Sequence, residues 1–203
     1  MKNKNTEGSP EPNARERILE TAIGMFAERG YAGTSVREIV EQAGVSKPVL
    51  YYYFQSKEGL YLAILEMAES MQKELLARIL ESPGKALERL LLLYRRIYAG
   101  IDQNRNLYKM IHSLIYGPPQ GAPDYDLMRY HRLMFDAVRN IFNTAIDGGE
   151  VKKVAADEAA YLVLSLIDFC LYMDQVQPQH SDPQRPERLL RLAFQGIQKG
   201  TEN

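Results

Sequence analysis

The 203-residue sequence predicts an all-α fold. Apolar residues recur at i, i+3 and i+4 along most of the chain, and nowhere do β-branched residues alternate with polar ones between turn signals. Clusters of glycine and proline, at 82–84, at 117–123 and between Pro178 and Pro186, cut this pattern into pieces of helical length. With 45% hydrophobic residues the chain can bury a substantial core, as one large domain or as a small domain joined to a larger one.

The first helix is expected from about Asn13 to Arg29, burying Ile18, Leu19, Ala22, Ile23 and Phe26, with Gly30 just past its end. Residues 35–57, SVREIVEQAGVSKPVLYYYFQSK, read as two short helices joined by the turn Ala43-Gly44-Val45. Ser35 and Glu38 have the spacing of a capping box, and Val36, Ile39, Val40 and Ala43 supply the buried stripe of a two-turn helix. Gly44 can take positive φ without a Cβ penalty, as a tight bend between crossing helices requires. Ser46 is the expected N-cap of the third helix, and Pro48 falls in its first turn, where a missing N–H costs little. That helix is about two turns long and carries Lys47, Tyr51, Tyr52 and Tyr53, so its few side chains cluster at the end that enters the major groove in helix-turn-helix proteins.

Ser56 caps a long fourth helix whose stripe Leu60, Ile64, Leu65, Ala68, Met71, Leu75 and Ile79 runs to Glu81. Further helices are expected over about 85–101, 106–116, 125–147 and 156–177, with a last one running to about Lys199. The dozen residues before Asn13, MKNKNTEGSPEP, lack the hydrophobic centre of a signal peptide and read as a disordered lead. The run from Ala159 to Met173 is the most apolar, yet it is too short to span a bilayer and Asp168 interrupts it. These features predict a soluble, cytoplasmic protein.

The residues between 13 and 60 resemble the DNA-binding domain of the TetR family of bacterial transcriptional regulators. The resemblance rests on Phe26-Ala27-Glu28-Arg29-Gly30-Tyr31, Thr34-Ser35-Val36-Arg37-Glu38-Ile39, Ala43-Gly44-Val45-Ser46-Lys47-Pro48, Leu50-Tyr51-Tyr52-Tyr53-Phe54 and Ser56-Lys57-Glu58. It implies about nine helices: a three-helix DNA-binding domain over residues 13–60, then a helical ligand-binding and dimerisation domain over 61–203. It also implies Lys47 and Pro48 against bases, Tyr51 and Tyr53 against phosphates or groove walls, and Lys57 on the DNA backbone. Arg37 would add a phosphate contact, and Ser35 and Ser46 are expected among the DNA-binding residues. Tyr52 is expected to face the first helix as packing, although it sits in the same DNA-facing cluster. Val49 stands where many family members carry a small or hydroxylated residue, so a phosphate hydrogen bond there is replaced by a thymine-methyl contact or by packing.

Net charge is −1, and residues 1–61 hold eight Lys/Arg against eight Asp/Glu, so DNA binding must rest on a few placed cations and not on a basic tail. A helix apolar on all sides needs cover on all sides. Leu162 and Leu166 of the apolar helix, with Leu189, Ala193, Phe194 and Ile197 of the last, therefore predict a homodimer interface of two helices from each chain. A pocket for an unknown small-molecule effector is expected from Met71, Tyr94, Tyr98, Tyr108, His112, Tyr116, Tyr130, His131, Met134, Phe169 and Met173, whose mostly apolar bodies carry a few polar tips. Asp168 needs a partner: a cationic ligand, an arginine or water.

No catalytic set, metal site or cofactor is expected. His112, His131 and His180 lack ligand spacing, and there is no glycine-rich phosphate loop. Asp124 and Asp126 read as solvated turn residues, and the single cysteine, Cys170, reads as a buried thiol. The residues themselves carry only DNA binding; the family resemblance implies, as the leading function, a repressor released from a palindromic operator by a small apolar molecule. The alternative is a constitutive or architectural DNA-binding factor.

Overall fold

A computed structural model describes residues 13–117, 121–177, 179 and 182–197. Among these the chain forms α1 (Ala14–Arg29), α2 (Val36–Gln42), α3 (Lys47–Phe54), α4 (Lys57–Glu81), α5 (Ala86–Gln103), α6 (Arg105–Tyr116), α7 (Met128–Asp147), α8 (Ala156–Val176) and α9 (Arg185–Ile197), with no strand. The expected disordered lead, His180 and the end of the last helix near Lys199 lie outside the described residues.

The helices begin where side chains can satisfy the first unpaired N–H groups. Asn13 Oδ1 accepts from Glu16 N at 3.1 Å while Glu16 accepts from Asn13 N at 3.0 Å, a capping box that opens α1. Ser35 and Glu38 repeat the arrangement on α2, and Ser56 Oγ accepts from Gly59 N at 2.9 Å to open α4. Ser46 departs from expectation: it occupies the N-cap of α3 in an extended conformation, but its side chain makes no capping bond, and Pro48 relieves the need for one donor. α7 starts at Met128, three residues later than the sequence suggests, because Asp126 stays in the preceding turn with its carboxylate on Arg132.

The chain divides into two compact units, residues up to Met67 with Asn106–Tyr125, and Ala68–Arg105 with Asp126 onward. A division after residue 60 therefore differs from the observed one, since residues 61–67 and α6 belong to the first unit. There α6 buries Leu107, Met110 and Ile111, and Gly24 of α1 leaves room for Asn106, whose Nδ2 would stand 3.7 Å from a Cβ at that position.

The first unit is centred on Ile18, Ile39, Leu50, Leu60 and Ile64, all 0% exposed, beside an aromatic cluster in which Phe26, Tyr31 and Tyr61 lie 5.0–5.8 Å apart by ring centroids. Burial pushes the Tyr61 phenol up to about 12. The core of the second unit joins Leu90, Leu93, Val138, Phe142, Ala160, Val163 and Leu190 from α5, α7, α8 and α9. Along α4 the buried line leaves Ala68 through Gln72, Leu76 and Ile79; Met71, expected on that line, is 45% exposed. Steps of four and three residues keep one helical face, whereas residue 71 is turned by about 100° from residue 72.

Candidate DNA interface

α3 is placed by two buried anchors, Leu50 at 0% and Phe54 at 5% exposure, one turn apart. At about 100° per residue, position 52 lies about 200° from position 50, on the side opposite the anchors, and positions 51 and 53 flank the buried edge. The exposures follow this geometry: Tyr51 46%, Tyr52 82% and Tyr53 42%. The packing expected of Tyr52 is thus corrected, because the helix aims it outward, with its ring in an edge-on contact with Tyr53 at 5.1 Å. Ser46, Lys47 and Pro48 are exposed at the start of the same helix, and Val49 is half-buried.

The helix-turn-helix frame is tied to α1. Arg17 Nε donates to Ala43 O at 3.2 Å, fixing the inter-helix turn, and Gly44 adopts φ 64° as the bend demands. Arg15 lies over the Phe54 ring at 5.5 Å. Gln55 also has positive φ, 64°, and ends α3 so that Ser56 can cap α4. The Ser35 hydroxyl is committed to the cap of α2, donating to Glu38 Oε2 at 2.6 Å, and Glu38 also pairs with Arg29 at 3.1 Å. These hydrogen bonds, Ser35 first, hold the Glu38 carboxyl below its ordinary range. Arg37 is exposed in the first turn of α2.

Lys57 is engaged inside the protein. Its ammonium donates to Tyr31 O and Thr34 O, both at 3.0 Å, and sits 4.0 Å from the Tyr31 ring centroid. A side chain expected on the DNA backbone therefore fastens the α1–α2 loop to the start of α4. Thr34, 2% exposed, locks the same loop by donating to Gly30 O at 3.0 Å.

The expected pocket residues do not gather at one place. Tyr108, His112 and Tyr116 form an i, i+4, i+8 row on α6, in the first unit. Tyr94 is buried, with its hydroxyl donating to Pro183 O at 2.8 Å, and Tyr98 stands beside it, rings 6.0 Å apart. Tyr130 donates to Ala68 O at 2.7 Å, and Gln72 Nε2 donates to Tyr130 O at 3.1 Å, stitching α4 to α7. His131, Met134 and Met173 are half-buried, whereas Met71 and Phe169 are exposed. Two clefts occur elsewhere: one of about 520 Å³ by Phe26, Arg29, Gly30 and Ser113, and one of about 220 Å³ by Phe142, Val154, Ala159, Leu162 and Phe194. Neither is lined by the expected pocket set.

On α8, Leu162, Ser165, Phe169, Tyr172 and Val176 follow spacings of three and four, and all five are exposed. Phe169 belongs to this outer stripe and not to an enclosed pocket, being 63% exposed and two turns from Leu162. On α9 the outward apolar residue is Leu192, 64% exposed, which sequence reading missed; Phe194, expected at an interface, is 3% exposed and stacks on Phe142 at 5.7 Å. Leu166, Leu189 and Ala193 are half-buried, and the side chain of Ile197 lies outside the described residues. Asp168 is exposed.

A tethered pair of short helices with an exposed second helix is the geometry of a helix-turn-helix DNA-binding motif. The model for bacterial regulatory proteins of the tetR family matches residues 18–64. The chain is 32% identical over 151 residues, 72% of its length and 74% of the relative's, to the uncharacterized HTH-type transcriptional regulator YdgC of Bacillus subtilis. It is 47% identical over 57 residues, 28% of this chain and 26% of that protein, to the HTH-type transcriptional activator FasR of Mycolicibacterium smegmatis. The fold matches that of SmeT in its complex with triclosan, with TM-score 0.74 over 92% of each chain at 20% identity. The chain belongs to the TetR family of DNA-binding transcriptional regulators.

Proposed function

We propose that this regulator is a cytoplasmic homodimeric repressor that reads a palindromic operator with α3 and releases it when a small, largely apolar molecule binds the second unit. The observation that carries the DNA-reading part is the outward face of α3, where Lys47, Pro48, Tyr51 and Tyr52 stand exposed over the anchors Leu50 and Phe54. Lys47 supplies a donor for a base edge, Tyr51 and Tyr52 supply hydroxyls for phosphate, and Pro48 offers apolar contact to a thymine methyl. Arg37 adds a phosphate contact from α2.

Dimerisation is supported by the stripe on α8 together with Leu192 of α9. Five large side chains on these two helices, at 45–64% exposure, are apolar surface that calls for cover. A second copy supplies the same patch through a two-fold axis, and palindromic DNA matches that symmetry. Binding of a small molecule, which release would require, is supported by SmeT, a protein of the same fold in complex with triclosan. A constitutive DNA-binding role is the second reading, favoured by the scattering of the expected pocket residues. Titrating operator DNA against the protein, with and without a compound found by thermal shift, decides between them: release requires the compound to weaken operator binding, and by linkage the operator to weaken the compound by the same factor. A bound compound that leaves operator affinity unchanged supports the constitutive reading.

A further inference from the structure

Arg15 continues the buried stripe of α1. Arg15, Ile18, Leu19 and Ala22 follow spacings of three and four, and the last three are 0–6% exposed, yet Arg15 itself is exposed. Its guanidinium lies over the ring of Phe54, 5.5 Å from the centroid. Phe54 anchors α3 and also meets the Tyr53 ring, centroids 6.1 Å apart, so Arg15 adjoins the exposed tyrosines of that helix. Arg17, two residues on, donates to Ala43 O in the turn ahead of α3. These two contacts seat the first turn of α1 alongside α3 and hold Arg15 next to it.

The cations of α1 to the start of α4 divide into two groups among the described residues. Arg17 is bonded to Ala43 O, Arg29 is paired with Glu38, and Lys57 is held by Tyr31 O and Thr34 O. Arg15, Arg37 and Lys47 are exposed and make no hydrogen bond or ion pair among those residues. With a net charge of −1, DNA binding must rest on a few placed cations, and Lys57, expected to be one of them, is engaged inside the protein. A methionine at position 15 would cover Phe54 as well; what arginine adds is charge and donors. Stacking on an aromatic ring uses only the face of a guanidinium. Its N–H donors lie in the plane and remain available, in the fork that a phosphate accepts from in bidentate fashion.

We propose that Arg15 grips a backbone phosphate of operator DNA beside the segment read by α3, in the role expected of Lys57. This rests on α3 as the DNA reader and adds a positioning residue to it: Arg15 fixes how α3 sits against the backbone and carries no base preference.

The test measures affinity of the full chain for sheared genomic duplex DNA, and for the operator selected from a random pool, over about 50–200 mM KCl. Arg15→Met keeps an apolar cover on Phe54 and removes the charge; Arg15→Lys keeps the charge. Arg15→Met lowers the slope of log affinity against log salt by about one per chain on both DNAs and weakens binding about five- to tenfold at about 0.1 M salt, with base preference and melting temperature at wild-type values. Arg15→Lys keeps the wild-type slope. On the selected operator, ethylation of one phosphate in each half-site weakens wild type but not Arg15→Met. An unchanged slope in Arg15→Met, an equal loss in Arg15→Lys, or an affinity loss that only follows a lower melting temperature makes Arg15 a packing residue and overturns the proposal. The two readings fail separately. A wild-type slope in Arg15→Met beside lost selection in Tyr52→Ala with Lys47→Ala removes the Arg15 contact and keeps α3 as reader; a lowered slope beside a palindrome selected equally well by that double variant does the reverse.

Discussion

At Lys57 three interactions converge on one ammonium: two carbonyls at 3.0 Å and the Tyr31 ring. Lys57→Ala leaves Tyr31 O and Thr34 O without that donor, at a cost of about 1–3 kcal/mol in urea unfolding. DNA affinity then falls in step with the folded fraction, and the salt dependence of the remaining binding keeps its slope. Arg37 is the contrast, an exposed guanidinium on α2. Arg37→Ala leaves unfolding unchanged and lowers the slope of log affinity against log salt by about one. Changing Lys47 alters which base is preferred, at about 1–3 kcal/mol for the best site. The outward aim of Tyr52 was legible once Leu50 and Phe54 were read as anchors, since a position two residues past an anchor faces away from it. The engagement of Lys57 was not legible, because its partners are backbone carbonyls 23 and 26 residues earlier.

Among the elements, α2 depends on a titratable cap. The Glu38 carboxyl lies below its ordinary value of 4.5, so the stability it contributes is present above that value and is lost as pH falls through its lower folded value. Thermal melts of wild type and Glu38→Gln therefore converge as the pH is taken below about 4.5; a margin that survives strong acid would remove the carboxylate from the cap. On α8 and α9 the packing separates two effects that sequence reading joined. Phe194→Ala opens the core beside Phe142 and costs about 3–5 kcal/mol in unfolding. Leu162→Glu with Phe169→Glu leaves each chain folded and gives monomers by sedimentation; dimers in that variant would locate the interface elsewhere. Periodicity marked both helices as apolar on several faces, but only the packing tells which residues another helix of the same chain covers. The 162, 169, 176 spacing was present in the sequence, and the inward turn of Phe194 was not, because a one-residue rotation on a short amphipathic helix changes little in the pattern.

The whole molecule is two units sharing one helix, with the division of α4 at Met67 and Ala68. The existence of nine helices among the described residues follows from the breaks and caps in the chain, and the helix-turn-helix follows from residues 26–58. The membership of α6 in the first unit was not readable, since an amphipathic helix reveals that one face is buried without naming the neighbour. Of the two partners of buried Glu69, Lys73 lies one turn along α4 and was readable as an i,i+4 pair, whereas Arg129 on α7 is brought to it by tertiary approach alone. Ligand control would need coupling through the shared helix of about 1–3 kcal/mol, enough for a 5- to 150-fold change in operator affinity. The central claim, that two copies read DNA through α3, is tested most directly by selecting bound DNA from a random pool with the full-length protein. The account predicts enrichment of a two-fold-symmetric sequence with half-sites about 34–36 Å apart, lost for Tyr52→Ala with Lys47→Ala. An asymmetric product, or a palindrome selected equally well by that double variant, would contradict it.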